Sequence, residues 1–356
     1  MTKLCSTYIP KFIPKFIPKK ILKAMRANLS PWLGANNYDN WLNIISLMPE
    51  TSRLYLEVHP FSKKPRCDII VSILQSDGSL SSWLNHSKSK RSLNWQKTSS
   101  LLEKWQDQIN SKEGNLRTIC FLLWLEFDIF ADQTDIGDPS LFISLTPKDN
   151  INDLKEEIKV YPELYEAFLN FQETIQNSTE LYEKVMRYNP IALGNIGLMA
   201  SRQIKNEALP LRSCWRCDNI DHFFYILKIA KVQIQSSMLA SELCWLQNIR
   251  EYINSYMLHL DNYKNFSDDF SLEVNVFHPN FSLSEKREKA ILDEVEKLGF
   301  LTNEQKITLL NFSNCNIIDN EFKYYCSLHH IKIKITMYKI QEIKCYWLVR
   351  PSSVKL

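Results

Sequence analysis

The clearest structural signal in the sequence is HIKIKITMYKIQEIKCYWLVRP, residues 330–351. It contains two alternating segments with a short connection between them. Isoleucines take every second position of the first segment, between Lys332, Lys334 and Thr336, and in the second segment Ile343, Cys345 and Trp347 alternate with Lys344, Tyr346 and Leu348. Because successive side chains of a β-strand point to opposite faces, we predict two strands, each with one apolar and one polar face. A face that carries lysines and a tyrosine needs water, an anion or a polar channel beside it.

The overall composition excludes several classes of protein. The 356 residues, 45% hydrophobic and 23% charged, suffice for a substantial core and have an ordinary globular composition. The formal net charge of +3 gives no reason to expect a nucleic-acid partner, and neither of the glycine-rich phosphate motifs GxGxxG and GxxxxGK[ST] is present. Scattered cysteines, no signal peptide and no apolar run of about 18 residues predict a soluble cytoplasmic protein with reduced thiols.

Residues 1–31 differ from the rest because they are rich in proline, lysine and isoleucine. A short tandem repeat contains a proline at every fourth position, Pro10, Pro14 and Pro18. Prolines at this spacing are expected to prevent a continuous helix. Two interpretations remain open: a mobile tail, or a basic arm that makes a weak contact with a membrane surface or a partner. We predict that residues 32–356 form a single barrel domain.

The alternating pattern of the C-terminal segment recurs along the chain. Further strands are predicted at 53–60, 68–74, 120–130, 140–146, 192–202, 209–216 and 271–278, and the last of these has a candidate partner near 280–283. Helices are predicted at 79–86, 94–110, 151–174, 178–188, 219–232 and 236–258, followed by two helices with capping boxes at Ser282 and Thr302. The chain is therefore predicted to contain strand pairs separated by helix pairs.

The two-faced strands predict the architecture. A doubly wound fold alternates single strands with single helices and buries strands that are apolar on both faces, which does not fit these segments. Closing about ten antiparallel strands into a barrel places every apolar face against outer helices and every polar face toward a shared interior. We therefore predict an α+β fold in which an antiparallel β-barrel of about ten strands, with a polar interior, is surrounded by helix pairs in repeated α-β-β-α units.

This arrangement, over roughly residues 37–350, resembles the ABBA family of prenyltransferases, in which five such units form a ten-stranded barrel. The resemblance implies a transferase that moves an isoprenoid from its diphosphate to an aromatic or peptide acceptor in natural-product biosynthesis, including that of ribosomally made peptides. In the family, basic and tyrosine side chains at alternating strand positions bind the diphosphate and shield the allylic cation. That pattern implies Arg53, Arg212, Lys332, Lys334 and Lys344 as diphosphate ligands and Tyr55, Trp124 and Tyr346 as shielding groups.

Acidic residues on the same strand faces have two interpretations. Glu57 or Glu126 could act as the catalytic base that takes a proton from the acceptor. Alternatively, the inward acids (Glu57, Asp68, Glu126, Asp128 and Glu273) pair with the bases in a structural ion network. We expect the isoprenoid diphosphate as co-substrate and no further cofactor, with Mg²⁺ possible but not required. The spacing of Cys214 and Cys217 also suggests a zinc site, with Cys326 and His329 or His330 as the second ligand pair.

Two other functions remain open at this level. The first is an acid/base cyclase or isomerase that acts on a peptide natural product without a diphosphate. The second is a non-catalytic protein that binds a peptide or lipid, with the basic N-terminal arm as its attachment.

Overall fold

The computed structural model describes most of the barrel and part of the surrounding helical layer. The described ranges are 17–33, 53–61, 66–74, 120–129, 138–145, 193–199, 211–232, 235–262, 266–278, 281–313, 317–319, 322–336 and 339–355, with residues 38–39, 42, 51, 103, 107, 180–181 and 183–185. The helices predicted at 79–86, 94–110 and 151–174 lie outside the described residues or touch them only at single positions.

Eleven described strands form one antiparallel sheet. They are β1 (Leu54–Val58), β2 (Cys67–Leu74), β3 (Cys120–Phe127), β4 (Ser140–Leu145), β5 (Leu193–Leu198), β6 (Leu211–Cys217), β7 (Ser255–Asn262), β8 (Phe266–Asn275), β9 (Ile317–Asp319), β10 (Phe322–Thr336) and β11 (Lys339–Lys355).

The sheet closes on itself. Each of β1 to β7 pairs with the next strand, β8 pairs with β10, and β10 pairs with β11. The ring is completed where β11 pairs with β1, in the register Leu54 to Val349 and Val58 to Cys345. The short strand β9 extends one end of β10. The result is the predicted ten-stranded antiparallel barrel, and closure leaves none of its ten strands as an exposed edge.

The alternation read from the sequence divides the barrel wall into two faces. The isoleucines of β10, together with Ile343, Cys345 and Trp347 of β11, are fully buried in the main hydrophobic core. This core lies outside the barrel, where the ring of Trp347 meets that of Phe312 at 5.3 Å between centroids. Lys332, Lys344 and Tyr346 are on the opposite, inner face, as predicted.

The described helices are α1 (Pro18–Ala24), α2 (Arg26–Leu33), α3 (Ile220–Ile229), α4 (Ser236–Glu242), a 3-10 helix (Cys244–Tyr252), α5 (Phe281–Lys297) and α6 (Asn303–Ser313). The capping box of α6 is confirmed, since Thr302 and Gln305 exchange hydrogen bonds between side chain and backbone. Gly299 follows α5 with φ of +80°, the left-handed conformation that suits glycine after a helix. None of the described helices is long and apolar enough to cross a bilayer.

Two predictions about β8 and its surroundings were wrong. The helix expected at 236–258 stops early, and residues 255–262 form β7, which is the actual hairpin partner of β8. The proposed partner near 280–283 is instead the start of α5. The alternation of β7 was hard to see because apolar Met257 lies on the same face as His259 and Asp261.

The predicted N-terminal arm is corrected from Pro18 onward. Pro18 occupies the first turn of α1, where its missing amide costs nothing, so the proline repeat does not prevent this helix. Ile21, Leu22 and Met25 are completely buried in the main core. The predicted domain boundary at residue 31 therefore falls inside α2, which packs with the barrel domain, and residues 1–16 lie outside the described part.

Candidate active site

The barrel interior concentrates the chemistry-bearing residues because every second residue of each strand points inward. The predicted residues Arg53, Tyr55, Glu57, Trp124, Glu126, Arg212, Lys332, Lys344 and Tyr346 all lie on inward-facing strand positions or directly beside them. Lys334 shares their face but is exposed near the end of β10. It therefore lies away from the enclosed groups, because the strand extends beyond the enclosed part of the barrel.

One dense group of charges, here called the Glu57 cluster, contains Glu57, His59, Arg66, Asp68, Asp128, Glu342 and Lys344. Glu57 Oε1 accepts a hydrogen bond from Lys344 Nζ at 2.5 Å, and His59 Nε2 lies 3.2 Å from the same oxygen. Burial acts to raise the pKa of Glu57, but Lys344 and the hydrogen bond from His59 hold it well below its usual value. Glu57 is thus a firmly ionised partner in a salt bridge.

His59 is a cation within this cluster. Burial and the charge of Lys344 act to lower its pKa, but hydrogen bonds to Asp68, Glu342 and Glu57 outweigh them and raise it to about 10. Glu57, His59 and Asp68 have ligand atoms within 4.8 Å of one another, the spacing of a metal site. A protonated imidazole cannot ligate a metal, and Lys344 already neutralises Glu57. The geometry therefore fits the ion-pair network that the sequence left open.

Arg212 is also matched with an acid. Its Nε and a terminal nitrogen each donate to Asp261 at 2.6 Å, a bidentate pair between neighbouring residues of β6 and β7. Burial would lower the pKa of Arg212, but Asp261 raises it overall. Because β7 was not predicted, this partner was missed.

Lys332 differs from Lys344 and Arg212, which are each paired with an acid. It is 7% exposed, and no carboxylate in the described part of the chain forms an ion pair or hydrogen bond with its Nζ. The ammonium lies 5.7 Å from the centre of the Tyr346 ring. Burial and then the charge of Arg212 lower the pKa of Lys332, although Glu126 and Glu57 act in the opposite direction. A buried ammonium that has no carboxylate in direct contact is a favourable place for an anionic ligand.

The ring of Tyr346 lies beside this lysine, and further aromatic rings are grouped with it on the inner face of the barrel. Tyr346 stacks on His330 at 4.0 Å, and Tyr55 meets Trp124 edge to face at 5.3 Å. Tyr55 and Tyr346 belong to one small apolar cluster inside the barrel, against which Trp124 packs. The three predicted shielding groups are thus brought together.

A second concentration of positive charge lies beside the aromatic rings. Arg53 immediately precedes β1 and Arg350 is on β11, and each is next to one of the paired residues Leu54 and Val349. Arg350 lies 4.7 Å from the centre of the Phe277 ring, and burial together with Arg53 lowers its pKa. Arg350 was not among the predicted residues, although its alternation with Leu348 and Tyr346 would have identified it.

A third arrangement, also missed, connects β6, β7 and β8. The Sγ atom of Cys214 lies 3.3 Å from His259 Nδ1, and His259 Nε2 lies 2.9 Å from Glu273 Oε2. Cys217, three residues later, is on the outer face, where its thiol contacts the Trp215 carbonyl. The two cysteines therefore cannot share a zinc ion, and the zinc hypothesis is wrong.

Comparison with known proteins supports the fold only. No protein-family model and no curated protein sequence matches the chain. Solved structures match over nearly its whole length. One is AnaPT from Neosartorya fischeri, which matches with a TM-score of 0.57 at 9% identity and covers 96% of this chain and 95% of its own. The 6-dimethylallyltryptophan synthase of Micromonospora olivasterospora, in complex with DMASPP and Trp, gives a TM-score of 0.56 at 10% identity, covering 92% and 96%.

A third match is NotF in complex with brevianamide F and DMSPP, with a TM-score of 0.54, 10% identity and coverage of 96% and 97%. The solved structures that this chain matches thus include several ABBA-type prenyltransferases. The chain has the ABBA prenyltransferase-barrel fold, as the sequence pattern suggested.

Proposed function

We propose that this protein is a prenyltransferase that transfers an isoprenoid group from its diphosphate to an aromatic acceptor, either a small molecule or a peptide, in natural-product biosynthesis. The fold supports the class of reaction, and one observation carries the proposal for this chain. Lys332 is an enclosed ammonium that has no counterion among the described residues and lies beside a group of aromatic rings.

Lys332 is the proposed principal ligand of the diphosphate. Lys344 and Arg212 contribute positive potential from either side, although Glu57 and Asp261 partly neutralise them. Arg53 extends the positive surface beside the aromatic rings. Fixed cations that face the leaving group stabilise the negative charge that develops on it, so the proposal requires neither a metal nor a further cofactor.

The aromatic rings of Tyr55, Trp124 and Tyr346 are proposed to flank the allylic carbon as it gains positive charge. Ring faces attract cations, and the attraction is stronger where water is excluded. Burial raises the pKa of Tyr346 well above its usual value, and nearby acids add to the effect, so its ring stays neutral rather than becoming a phenolate. A neutral ring shields a carbocation without capturing it.

The two predicted bases fit this role unequally. Glu57 is bound to Lys344, and its depressed pKa makes it a weak proton acceptor. Glu126 is buried on β3, 3% exposed. A cytoplasmic location is part of the proposal, supported by the free thiols of the described cysteines Cys214, Cys217, Cys244 and Cys345.

Ligand binding tests the proposal directly. The protein is heated with dimethylallyl or geranyl diphosphate in EDTA, and the shift in Tm is compared between wild type, Lys332→Met and Lys334→Met. The second variant is a matched control because Lys334 is on the same strand and face but exposed. We expect stabilisation of the wild type and of Lys334→Met, and none of Lys332→Met. No stabilisation of the wild type by either diphosphate refutes the proposal.

Product formation is then tested with dimethylallyl diphosphate and an acceptor panel that includes tryptophan, brevianamide F and aromatic peptides. Tryptophan and brevianamide F are chosen because they are bound in matching solved structures. The acid/base cyclase remains a second candidate because the described part of the chain places no Lys or Arg within ion-pair distance of Glu273. Binding of a peptide without binding of either diphosphate would favour that candidate.

A further inference from the structure

The hydrogen-bonded series Cys214, His259 and Glu273 crosses three neighbouring strands on the inner face of the barrel. Cys214 and His259 are directly opposite each other in the register of β6 and β7. Burial raises the pKa of the Cys214 thiol to about 12, so the thiol stays protonated and donates a hydrogen bond to His259 Nδ1. That contact places the proton of the neutral imidazole on Nε2, which donates to Glu273 Oε2. The series therefore orients one carboxylate oxygen and leaves the other available.

Glu273 differs from the other interior acids whose partners are known. Glu57 binds Lys344 and Asp261 binds Arg212, so each of these carboxylates is held by a cation. Glu273 instead contacts imidazoles: His259 at 2.9 Å, and His330, whose Nδ1 lies 3.8 Å from Glu273 Oε1. The pKa of His259 and that of His330 are both well below the usual value, primarily because of burial, so both rings are neutral.

Glu273 is also placed near the proposed reaction centre. It is directly opposite Lys332 in the register of β8 and β10. His330, which Glu273 approaches, stacks on Tyr346. The negative charge of Glu273 raises the pKa of Tyr55 and that of Tyr346, two of the three proposed shielding groups. One carboxylate thus lies on the strand beside the proposed diphosphate ligand and acts electrostatically on two of the aromatic side chains.

From this geometry we infer that Glu273 is the catalytic base of the reaction and that His259, oriented by Cys214, is its positioning residue. The inference rests on the proposed function and assigns the proton-transfer step to a residue that the sequence did not suggest. It replaces Glu57 and Glu126 in that role.

The step balances as follows. The C1–O bond of the allylic diphosphate breaks, and its electron pair leaves with the diphosphate beside Lys332. A ring carbon of the acceptor forms the new bond to C1 with its π electrons. The C–H pair at that carbon then returns to the ring, and the proton passes to Glu273 Oε1. No oxidant, reductant or metal is needed.

The surroundings of Glu273 suit a base that works near neutral pH. Burial raises its pKa to about 7, although Lys332 and then Arg216 act in the opposite direction. Among the described residues, the charged or titratable groups that interact with it from the packed strands are Tyr55, Cys214, Arg216, His259, His330, Lys332 and Tyr346. Since only the ionised carboxylate accepts a proton, the rate of transfer should rise with pH to a plateau above about 7.

The decisive experiment measures an isotope effect. An acceptor found in the panel is deuterated at the carbon that becomes prenylated, and turnover is compared for wild type, Glu273→Gln and Glu57→Gln. We expect Glu273→Gln to lower kcat by about a hundredfold, to lose the pH dependence near neutrality, and to show a primary isotope effect absent from the wild type. Glu57→Gln, the competing assignment, should reduce stability without producing an isotope effect.

A second variant tests the positioning role. Replacing His259 with Phe removes the N–H that stabilises the ionised carboxylate, so the acid limb of the pH profile should move to higher pH. Cys214→Ser keeps a donor to Nδ1 and should retain the wild-type profile. A purely structural role would change the amount of folded protein but not the midpoint of the profile.

The possible results separate the two proposals. If neither diphosphate stabilises the wild type, the proposed function is wrong and the base assignment falls with it. If prenylation occurs but Glu273→Gln shows the wild-type pH profile and no isotope effect, only the assignment of Glu273 is refuted. An isotope effect in Glu57→Gln instead would return the role to Glu57.

Discussion

Replacing Lys332 with Met should make the protein more stable while it removes diphosphate binding. Methionine is close in length to the lysine stem and carries no charge. The native ammonium is 7% exposed and has no counterion in the described part of the chain, so folding takes it out of water with little compensation. Its removal should relieve this cost and the repulsion from Arg212 that contributes to the lowered pKa.

The expected size follows from the burial. Replacing a buried ion pair by apolar side chains of similar volume is often neutral or stabilising by about 1–4 kcal/mol, and an ammonium with no carboxylate in contact has less attraction to offset its desolvation than a paired one. For a chain of this length, 1 kcal/mol corresponds to roughly 1–3 °C in Tm, so an increase of several degrees is expected. Loss of a buried charge from the binding site should weaken the affinity for dimethylallyl diphosphate by about a hundredfold.

The pH dependence gives an independent check. The folded state holds the pKa of Lys332 below 10.5, so between that lowered value and 10.5 the unfolded chain binds more protons than the folded one. Wild-type stability therefore gains from this residue as pH rises through that window. The advantage of Lys332→Met should consequently shrink toward high pH, as measured by thermal unfolding at a series of pH values.

Lys334→Met is the control for this prediction. Replacing this exposed lysine on the same strand should change the free energy of unfolding by less than about 0.5 kcal/mol. A lower Tm in Lys332→Met would mean that the ammonium has a strong partner in the folded state. Unchanged affinity for the diphosphate would show that Lys332 is not its ligand. Either result refutes the reasoning from an uncompensated charge.

Three further predictions concern other parts of the fold. The pKa of His59 is raised from 6.5 to about 10, so its contribution to stability is complete below about pH 6.5 and should be lost as pH rises through 10. Glu57→Gln breaks a buried ion pair at a cost of about 3–5 kcal/mol. In this variant the loss of stability should begin at a lower pH, as measured by thermal unfolding. A Cβ at Gly197 would overlap the Phe142 ring, so Gly197→Ala should lower the free energy of unfolding by about 1–3 kcal/mol, as measured in urea, and Phe142→Leu in the same chain should restore part of it. Removing residues 1–33 exposes the core under α1 and α2 and should prevent cooperative unfolding by calorimetry, whereas removing residues 1–16 should leave it cooperative.

Local rules predicted much of the barrel wall. The faces of β1, β3, β10 and β11 follow from alternation alone, because one side of each strand meets the apolar core and the other does not. Strand β7 escaped prediction because Met257 interrupts its polar face, and local periodicity cannot show that an apolar residue faces the interior. The N-terminal helices were missed because proline was taken as a helix breaker, while Pro18 is in the one turn that accepts it.

The candidate site was predictable by residue type but not by partnership. Alternation identified Lys332 and Lys344 as inward lysines, yet nothing local distinguished them. Their difference comes from strand register and closure, which place Glu57 beside Lys344 and no carboxylate in ion-pair contact with Lys332 among the described residues. His259 was invisible for a related reason, since its role depends on Cys214 and Glu273 from the adjacent strands.

The seam between β1 and β11 has a consequence for how the chain reaches its native state. These strands come from nearly opposite ends of the sequence, yet their pairing completes the ring. During synthesis, the outer edges of the sheet therefore stay unpaired until β11 has left the ribosome. Long-range pairing of this kind slows folding and leaves intermediates prone to association. The yield of folded protein in cells should therefore depend on chaperone supply. Destabilising substitutions in β11 should reduce that yield more than equally destabilising substitutions in the peripheral helices.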